Sequence, residues 1–304
     1  MNSFIKTEKG ILTISVYSAV VFSVAGVLLG ILSMSQMILF DGLYSFISVV
    51  LSLLSLGAAQ YIRKNDFQRF PFGKEIIEPI VLIVKYTVIL VLCSGAFISA
   101  AAALFTGGRE TALGYALLYA VLSAGGCYLV YLFLSRKQQT IRSGFIKAEA
   151  NQWKMDMYLS FAVLGGFIVT AMASAAGFSF ITPYMDPLMV LLVSGYFIKV
   201  PLAEIVKAFK EVLEMAPDKE IQQQISGTIK KVTVRHNIEE SFLRVSKVGS
   251  KLYVEVDFVL QTESNVKTVE QQDQVREEIA DGIKKIKYDK WLSVSFTKDR
   301  KWAI

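Results

Sequence analysis

Histidine is nearly missing from this chain: His236 is the only one in 304 residues, and cysteine is limited to Cys93 and Cys127. A single histidine leaves no nucleophile and base to pair, so an enzyme reading has no residues to stand on. Both cysteines lie inside apolar stretches with no ligand at metal spacing nearby. They read as buried small hydrophobes, which excludes a disulfide framework and a thiolate metal site. No glycine-rich loop joins a strand to a helix, so a nucleotide phosphate has no cradle. Gly26, Gly30, Gly57, Gly165 and Gly166 instead suit close helix packing in a bilayer.

Apolar residues are abundant, at 53% of the chain with a mean hydropathy of +0.47, and the charges crowd into the last third. Long apolar stretches fall near 11–32, 37–62, 76–106, 111–135, 154–177 and 184–206. Each reaches the roughly 20 residues that a spanning helix needs. The first exceeds the apolar region of a signal peptide, about 7–15 residues, and has no small-residue cleavage site, so it is read as a helix. The expected fold is a membrane all-α six-helix transmembrane bundle over residues 1–209, followed by a small cytosolic α+β domain over 210–304.

Basic residues orient that bundle. Lys6 and Lys9 precede the first span, Arg63, Lys64, Arg69 and Lys74 fill the second connection, and Arg136, Lys137, Arg142 and Lys147 fill the fourth. The first and fifth connections carry no Lys or Arg, and the third has only Arg109 beside Glu110. Basic connections stay in the cytosol, which with six spans puts both termini there. The net charge of +6 is then mostly a topology signal, and nucleic acid is not an expected partner.

After Pro217-Asp218 the period changes. Residues 218–231 read as a helix and 241–248 as a strand, with Gly249-Ser250 as a turn. Leu252, Val254, Val256, Phe258 and Leu260 alternate as in a strand with one buried face. Residues 267–287 return to helical spacing, and Trp291 to Phe296 form a last strand.

Two of the acids within the apolar stretches stand out. Asp41 stands four residues before Ser45, and Asp156 four after Gln152. On a helix each pair shares one face, and an ionisable group in a span is by default a functional site. Lys85, in the third span, is the cation that would neutralise either acid if it reached one; Glu78 is its other candidate partner. Lys154 snorkels to the boundary.

These residues resemble the cation diffusion facilitators. The resemblance rests on the six spans, the acid pairs in the second and fifth, and three motifs: Phe40-Asp41-Gly42-Leu43-Tyr44-Ser45, Phe70-Pro71-Phe72-Gly73-Lys74-Glu75 and Tyr184-Met185-Asp186-Pro187-Leu188. It implies a ferredoxin-like tail and a homodimer in the cell (inner) membrane that exports a divalent cation from the cytosol by proton exchange. No prosthetic group is implied, since the metal is the substrate. The implied transport site is Asp41, Ser45, Gln152 and Asp156. Zinc-transporting members commonly have three Asp and one His there.

Two carboxylates, a hydroxyl and an amide carbonyl make an all-oxygen site, which favours Mn²⁺ or Fe²⁺ over Zn²⁺. Metal binding releases protons from its ligands, and only Asp41 and Asp156 could supply them. Ser160, one turn beyond Asp156, could add another oxygen to the site, though a serine in a packed membrane helix more often bonds its own backbone. By the same resemblance the tail's metal positions fall at Ser241, Asp257, Ser295 and Thr297, a set that does not suit two metals, and His236 reads as a solvated loop residue. Lys74 matches a lysine that pairs with an acid near the end of the sixth span, here Glu211 or Glu214, or else lies in a solvated loop. A second reading is a non-transporting family member that serves as a membrane scaffold or partner subunit.

Overall fold

The computed structural model describes residues 8–62, 64, 66, 68–140 and 144–303. Lys6, Arg63 and Arg142, three of the basic residues used for orientation, lie outside them. The helices are α1 (Glu8–Ser33), α2 (Gln36–Ile62), α3 (Ile77–Phe105), α4 (Leu113–Thr140), α5 (Gly144–Ala175), α6 (Thr182–Phe197), α7 (Lys199–Val212), α8 (Lys219–Arg235) and α9 (Val269–Ile283); the strands are β1 (Glu240–Val248), β2 (Lys251–Val259) and β3 (Asp289–Thr297).

Five stretches are long and apolar enough to cross a membrane: Gly10–Ser33, Ile77–Phe105, Leu113–Lys137, Gln152–Ala175 and Thr182–Val212. Only 17–33% of their most apolar windows is buried inside the protein. Apolar surface on that scale is stable against lipid and not against water, so the chain is a multi-pass membrane protein. The expected second span coincides with α2, in which the described apolar run is the shorter Gln36–Leu51.

The expected sixth span divides at Ile198 into α6 and α7. Pro201 has no N–H to give the Phe197 carbonyl, which breaks the ladder there. Pro187, inside α6, likewise frees the Pro183 carbonyl, and the Arg109 backbone N–H fills that acceptor at 2.7 Å.

Two compact units divide the chain: Met1–Leu54 with Lys85–Ala203, and Ser55–Val84 with Glu204–Ile304. In the first, apolar clusters form around Met37, Ile38, Tyr119 and Phe167, around Cys127, Leu134 and Trp153, and around Phe40, Ile89 and Cys93.

The second unit holds a three-stranded sheet in the order β1-β2-β3, with β1 antiparallel and β3 parallel to β2. Antiparallel neighbours need only the Gly249 turn, whereas the parallel pair needs a crossover, which α9 supplies. The chain order α-β-β-α-β is the ferredoxin-like order without its first strand. Leu252, Val254, Val256 and Phe258 of β2 face a core shared with Ile225 and Ile229 of α8 and Val275, Ile279 and Ile283 of α9. The α+β expectation is borne out element by element.

Gly249 sits at φ 56°, where a side chain is strained, and a Cβ there would lie 2.6 Å from Glu78 Oε2. The same turn is held by Glu211, which accepts from the Gly249 N–H at 3.0 Å and pairs with Lys247, while Lys251 pairs with Glu75 at 2.7 Å. Tyr253 donates to the Phe72 carbonyl at 3.0 Å, and burial beside Glu75 and Glu214 pushes its phenol up.

Candidate metal site

Every helix that carries a candidate ligand is anchored by polar or glycine contacts. At the start of α2, Asp186 of α6, 1% exposed, accepts from the Gln36 N–H at 2.9 Å, the Met37 N–H at 3.3 Å and the Ser35 hydroxyl. Ser35 Oγ accepts from the Ile38 N–H at 3.2 Å. A helix N-terminus leaves unpaired N–H groups, and this carboxylate from another helix satisfies two of them. Asp186 in the Tyr184–Leu188 motif therefore caps α2.

Further along, α1 and α2 cross backbone to backbone. A Cβ on Gly26 would sit 2.8 Å from Gly42 Cα, one on Gly42 2.5 Å from Val27 N, and one on Gly30 2.6 Å from Leu39 N. Ser23 Oγ donates to the Gly42 carbonyl at 3.0 Å, immediately after Asp41. Gly26 and Gly30 thus serve close helix packing as expected, and Gly166 receives Met189 of α6. Gly57 and Gly165 do not: a Cβ on either meets nothing within 4 Å.

The crossing sets Asp41. Its Oδ2 accepts from the Tyr119 hydroxyl of α4 at 2.7 Å. Asp156, half-buried on α5, lies within electrostatic range of Asp41 and of Glu149, two turns earlier on its own helix. Glu149 also accepts from Ser15 Oγ of α1, which in turn accepts from Trp153 Nε1 at 2.7 Å. Of the four expected ligands, only the two acids are linked by an electrostatic interaction among the described residues. Ser45 is half-buried and Gln152 exposed, and among the described residues no hydrogen bond joins either to an acid.

Lys85 does not neutralise the pair. Its Nζ lies 5.9 Å from the Tyr86 ring centroid, and no ion pair among the described residues joins it to Asp41, Asp156 or Glu78. Lys154 lies over Tyr158, 5.8 Å from the ring centroid. Ser160, expected to bond its own backbone, instead meets Ser123 Oγ of α4 at 3.0 Å and Cys127 Sγ at 3.7 Å. Tight α4–α5 packing offers it a side-chain partner.

Two readings outside the bundle change. Lys74 is buried, donates to the Lys64 carbonyl at 3.0 Å and lies over the Tyr61 ring at 4.2 Å, while Glu211 is taken by Lys247. A short loop brings carbonyl and ring to the lysine first. His236 is not a solvated loop residue: it caps α8, and its Nε2 meets Glu278 Oε2 at 2.9 Å. Asp257 is committed to Arg244 at 2.5 Å. Among the described residues no three His, Cys, Asp or Glu side chains converge.

Sequence reasoning passed over Tyr119, Ser123 and Glu149. A signal was present: Tyr119 and Ser123 repeat the four-residue polar spacing of Asp41 and Ser45. An uncharged phenol in an apolar helix does not stand out as a carboxylate does.

Residues 12–213 match the cation efflux transmembrane domain. Over 282 residues the chain is 25% identical to an uncharacterized transporter, YdbO, of Bacillus subtilis (strain 168), an alignment covering 92% of this chain and 91% of that protein. Helices of spanning length and a domain match over most of the chain agree, and the chain belongs to the cation efflux family, the cation diffusion facilitators, whose members carry metal cations across membranes.

Proposed function

We propose that the protein exports a divalent metal cation from the cytosol in exchange for protons, with Asp41, Ser45, Gln152 and Asp156 as ligands and Mn²⁺ or Fe²⁺ preferred over Zn²⁺. The observation that carries this reading is that Asp156 lies within electrostatic range of Asp41, with no Lys or Arg of the described residues among the charged groups acting on either. Two like charges in a low-dielectric interior repel, and a divalent cation between them turns the repulsion into attraction. Protons relieve it too, so metal and protons compete for the same two carboxylates. Ser45 and Gln152 lie one turn from their acids and complete an all-oxygen shell suited to harder ions.

In this reading α2 is a sixth span, and α6 with α7 make one crossing. The basic residues Lys64, Arg69, Lys74, Arg136 and Lys137 then lie on the cytosolic side, as do both termini. Residues 1–209 form the membrane domain and 210–304 a cytosolic domain, and two copies assemble as a homodimer in the cell (inner) membrane.

The test is uptake into proteoliposomes under an opposing proton gradient, comparing Mn²⁺, Fe²⁺, Zn²⁺, Co²⁺ and Mg²⁺. Uptake of Mn²⁺ or Fe²⁺ that Asp156→Asn abolishes is the expected result. A folded protein that moves none of these ions overturns the proposal.

A further inference from the structure

We propose that Tyr119 is a positioning residue for the metal site, holding Asp41 in its ligating orientation and tying it through Ser123 and Ser160 to the helix that bears Asp156. The inference rests on the metal-site reading above. The phenol is only 4% exposed, so its hydroxyl must find a partner inside the protein, and it donates to Asp41 Oδ2 at 2.7 Å. Its place is crowded: a Cβ on Gly26 would lie 2.8 Å from the phenolic oxygen. The oxygen therefore sits where α1, α2 and α4 meet, beside the backbone that carries Asp41.

The contact continues. Ser123 lies one turn on in α4, close enough to act on the Tyr119 hydroxyl, and Ser123 Oγ meets Ser160 Oγ at 3.0 Å. Ser123 and Ser160 are both buried, and Ser160 lies one turn from Asp156 on α5. Two hydrogen bonds, Tyr119 to Asp41 and Ser123 to Ser160, with Tyr119 and Ser123 one turn apart on α4, thus lie in a row from the first acid to the helix of the second. In an apolar interior these hydroxyls have no water to turn to, so the row holds its geometry.

The donor type matters. A lysine or arginine beside Asp41 would place a permanent positive charge where the metal must come. A phenol is neutral: it takes one carboxylate oxygen and leaves Oδ1 for the cation. Groups that orient a ligand in this way typically contribute about 10–100-fold in metal affinity.

The experiment is Mn²⁺ and Zn²⁺ transport by the full-length protein in proteoliposomes, with KM and maximal rate measured separately. Tyr119→Phe keeps the ring and removes the hydroxyl; KM should rise about tenfold with the maximal rate little changed. Tyr115→Phe, one turn earlier on the same helix and exposed, should behave as wild type. A purely structural tyrosine would instead lower the amount of active protein and the maximal rate while leaving KM alone, and that result overturns the inference. Ser123→Ala cuts only the link to α5 and decides the matter if Tyr119→Phe does not fold: a severalfold rise in KM supports the proposal, and an unchanged KM overturns it. Asp41→Asn separates the two readings. Normal transport by Asp41→Asn removes the metal site itself; loss of transport there with wild-type KM in Tyr119→Phe removes only the role given to Tyr119.

Discussion

The helical unit and the α+β unit solve the same problem with different forces. In the α+β unit, large apolar side chains of β2, α8 and α9 interlock around Phe258 and Leu252, each 0% exposed. Water drives that core together. In the helical unit the apolar side chains largely face outward, and lipid gains nothing from their burial. Contact there depends on glycines that let backbones touch, as at Gly26 and Gly42, and on buried hydroxyls and carboxylates that bond across helices, as at Asp186 and Tyr119. Polar groups in one unit are mostly surface ties; in the other several are internal fasteners.

The sharpest way to break that contrast is to neutralise the acids. Asp156→Asn and Asp41→Asn should each abolish metal transport while leaving the α+β core intact, checked by proteoliposome uptake together with hydrogen exchange of β2 in the full chain. Retained transport in both variants would reduce the acids to structural groups like Asp186. Next in size is the apolar core. Phe258 is stacked on Phe296 at 5.5 Å, and Phe258→Ala should cost about 3–5 kcal/mol, seen as lost exchange protection across β1, β2 and β3.

Glycine contacts test the membrane side of the comparison. Gly42→Ala forces a Cβ onto the backbone of α1 and should destabilise the helical unit by about 1–3 kcal/mol in detergent. Gly57→Ala and Gly165→Ala meet open space and should be neutral or slightly stabilising. Equal effects at the three positions would show that the α1–α2 crossing is not what holds the bundle.

The smallest effects belong to a surface cap. Thr268 accepts from the Gln271 N–H at 3.3 Å while Gln271 Oε1 accepts from the Thr268 N–H at 3.1 Å, and Thr268→Ala should cost about 0.5–2 kcal/mol by denaturant unfolding. Hydrogen bonds from its own backbone N–H and from Thr268 hold the neighbouring Glu270 carboxyl below its usual range. Its folded-state value lies below the unfolded one, so its contribution is present above the ordinary carboxylate range and fades as pH falls below it. Glu270→Gln should flatten that acid slope slightly, and an unchanged slope would remove the cap from the account.

Much of the fold was legible because period reports environment. The alternation from Leu252 to Leu260 gave β2, and helical spacing from Val269 gave α9. The expected helix 267–287 stops at Ile283, because its last apolar repeats, Ile286 and Tyr288, pack from the turn that leads into β3. Site residues divided by chemistry. A carboxylate in an apolar run announces itself through the cost of burying it, so Asp41 and Asp156 stood out. The partners of Ser160 and His236 did not, since each lies on another segment of chain.

What the sequence alone determined is therefore local: which stretches are apolar enough for lipid, which positions alternate in the tail, and where two acids interrupt the helices. Tertiary structure decided the pairings: Tyr119 on Asp41, Asp186 on the start of α2, Ser123 on Ser160, and which glycines meet a neighbour. The reason is physical. Hydropathy and period are sums over adjacent residues, whereas a hydrogen bond in an apolar interior depends on which groups the packing of several helices leaves within about 3 Å of one another.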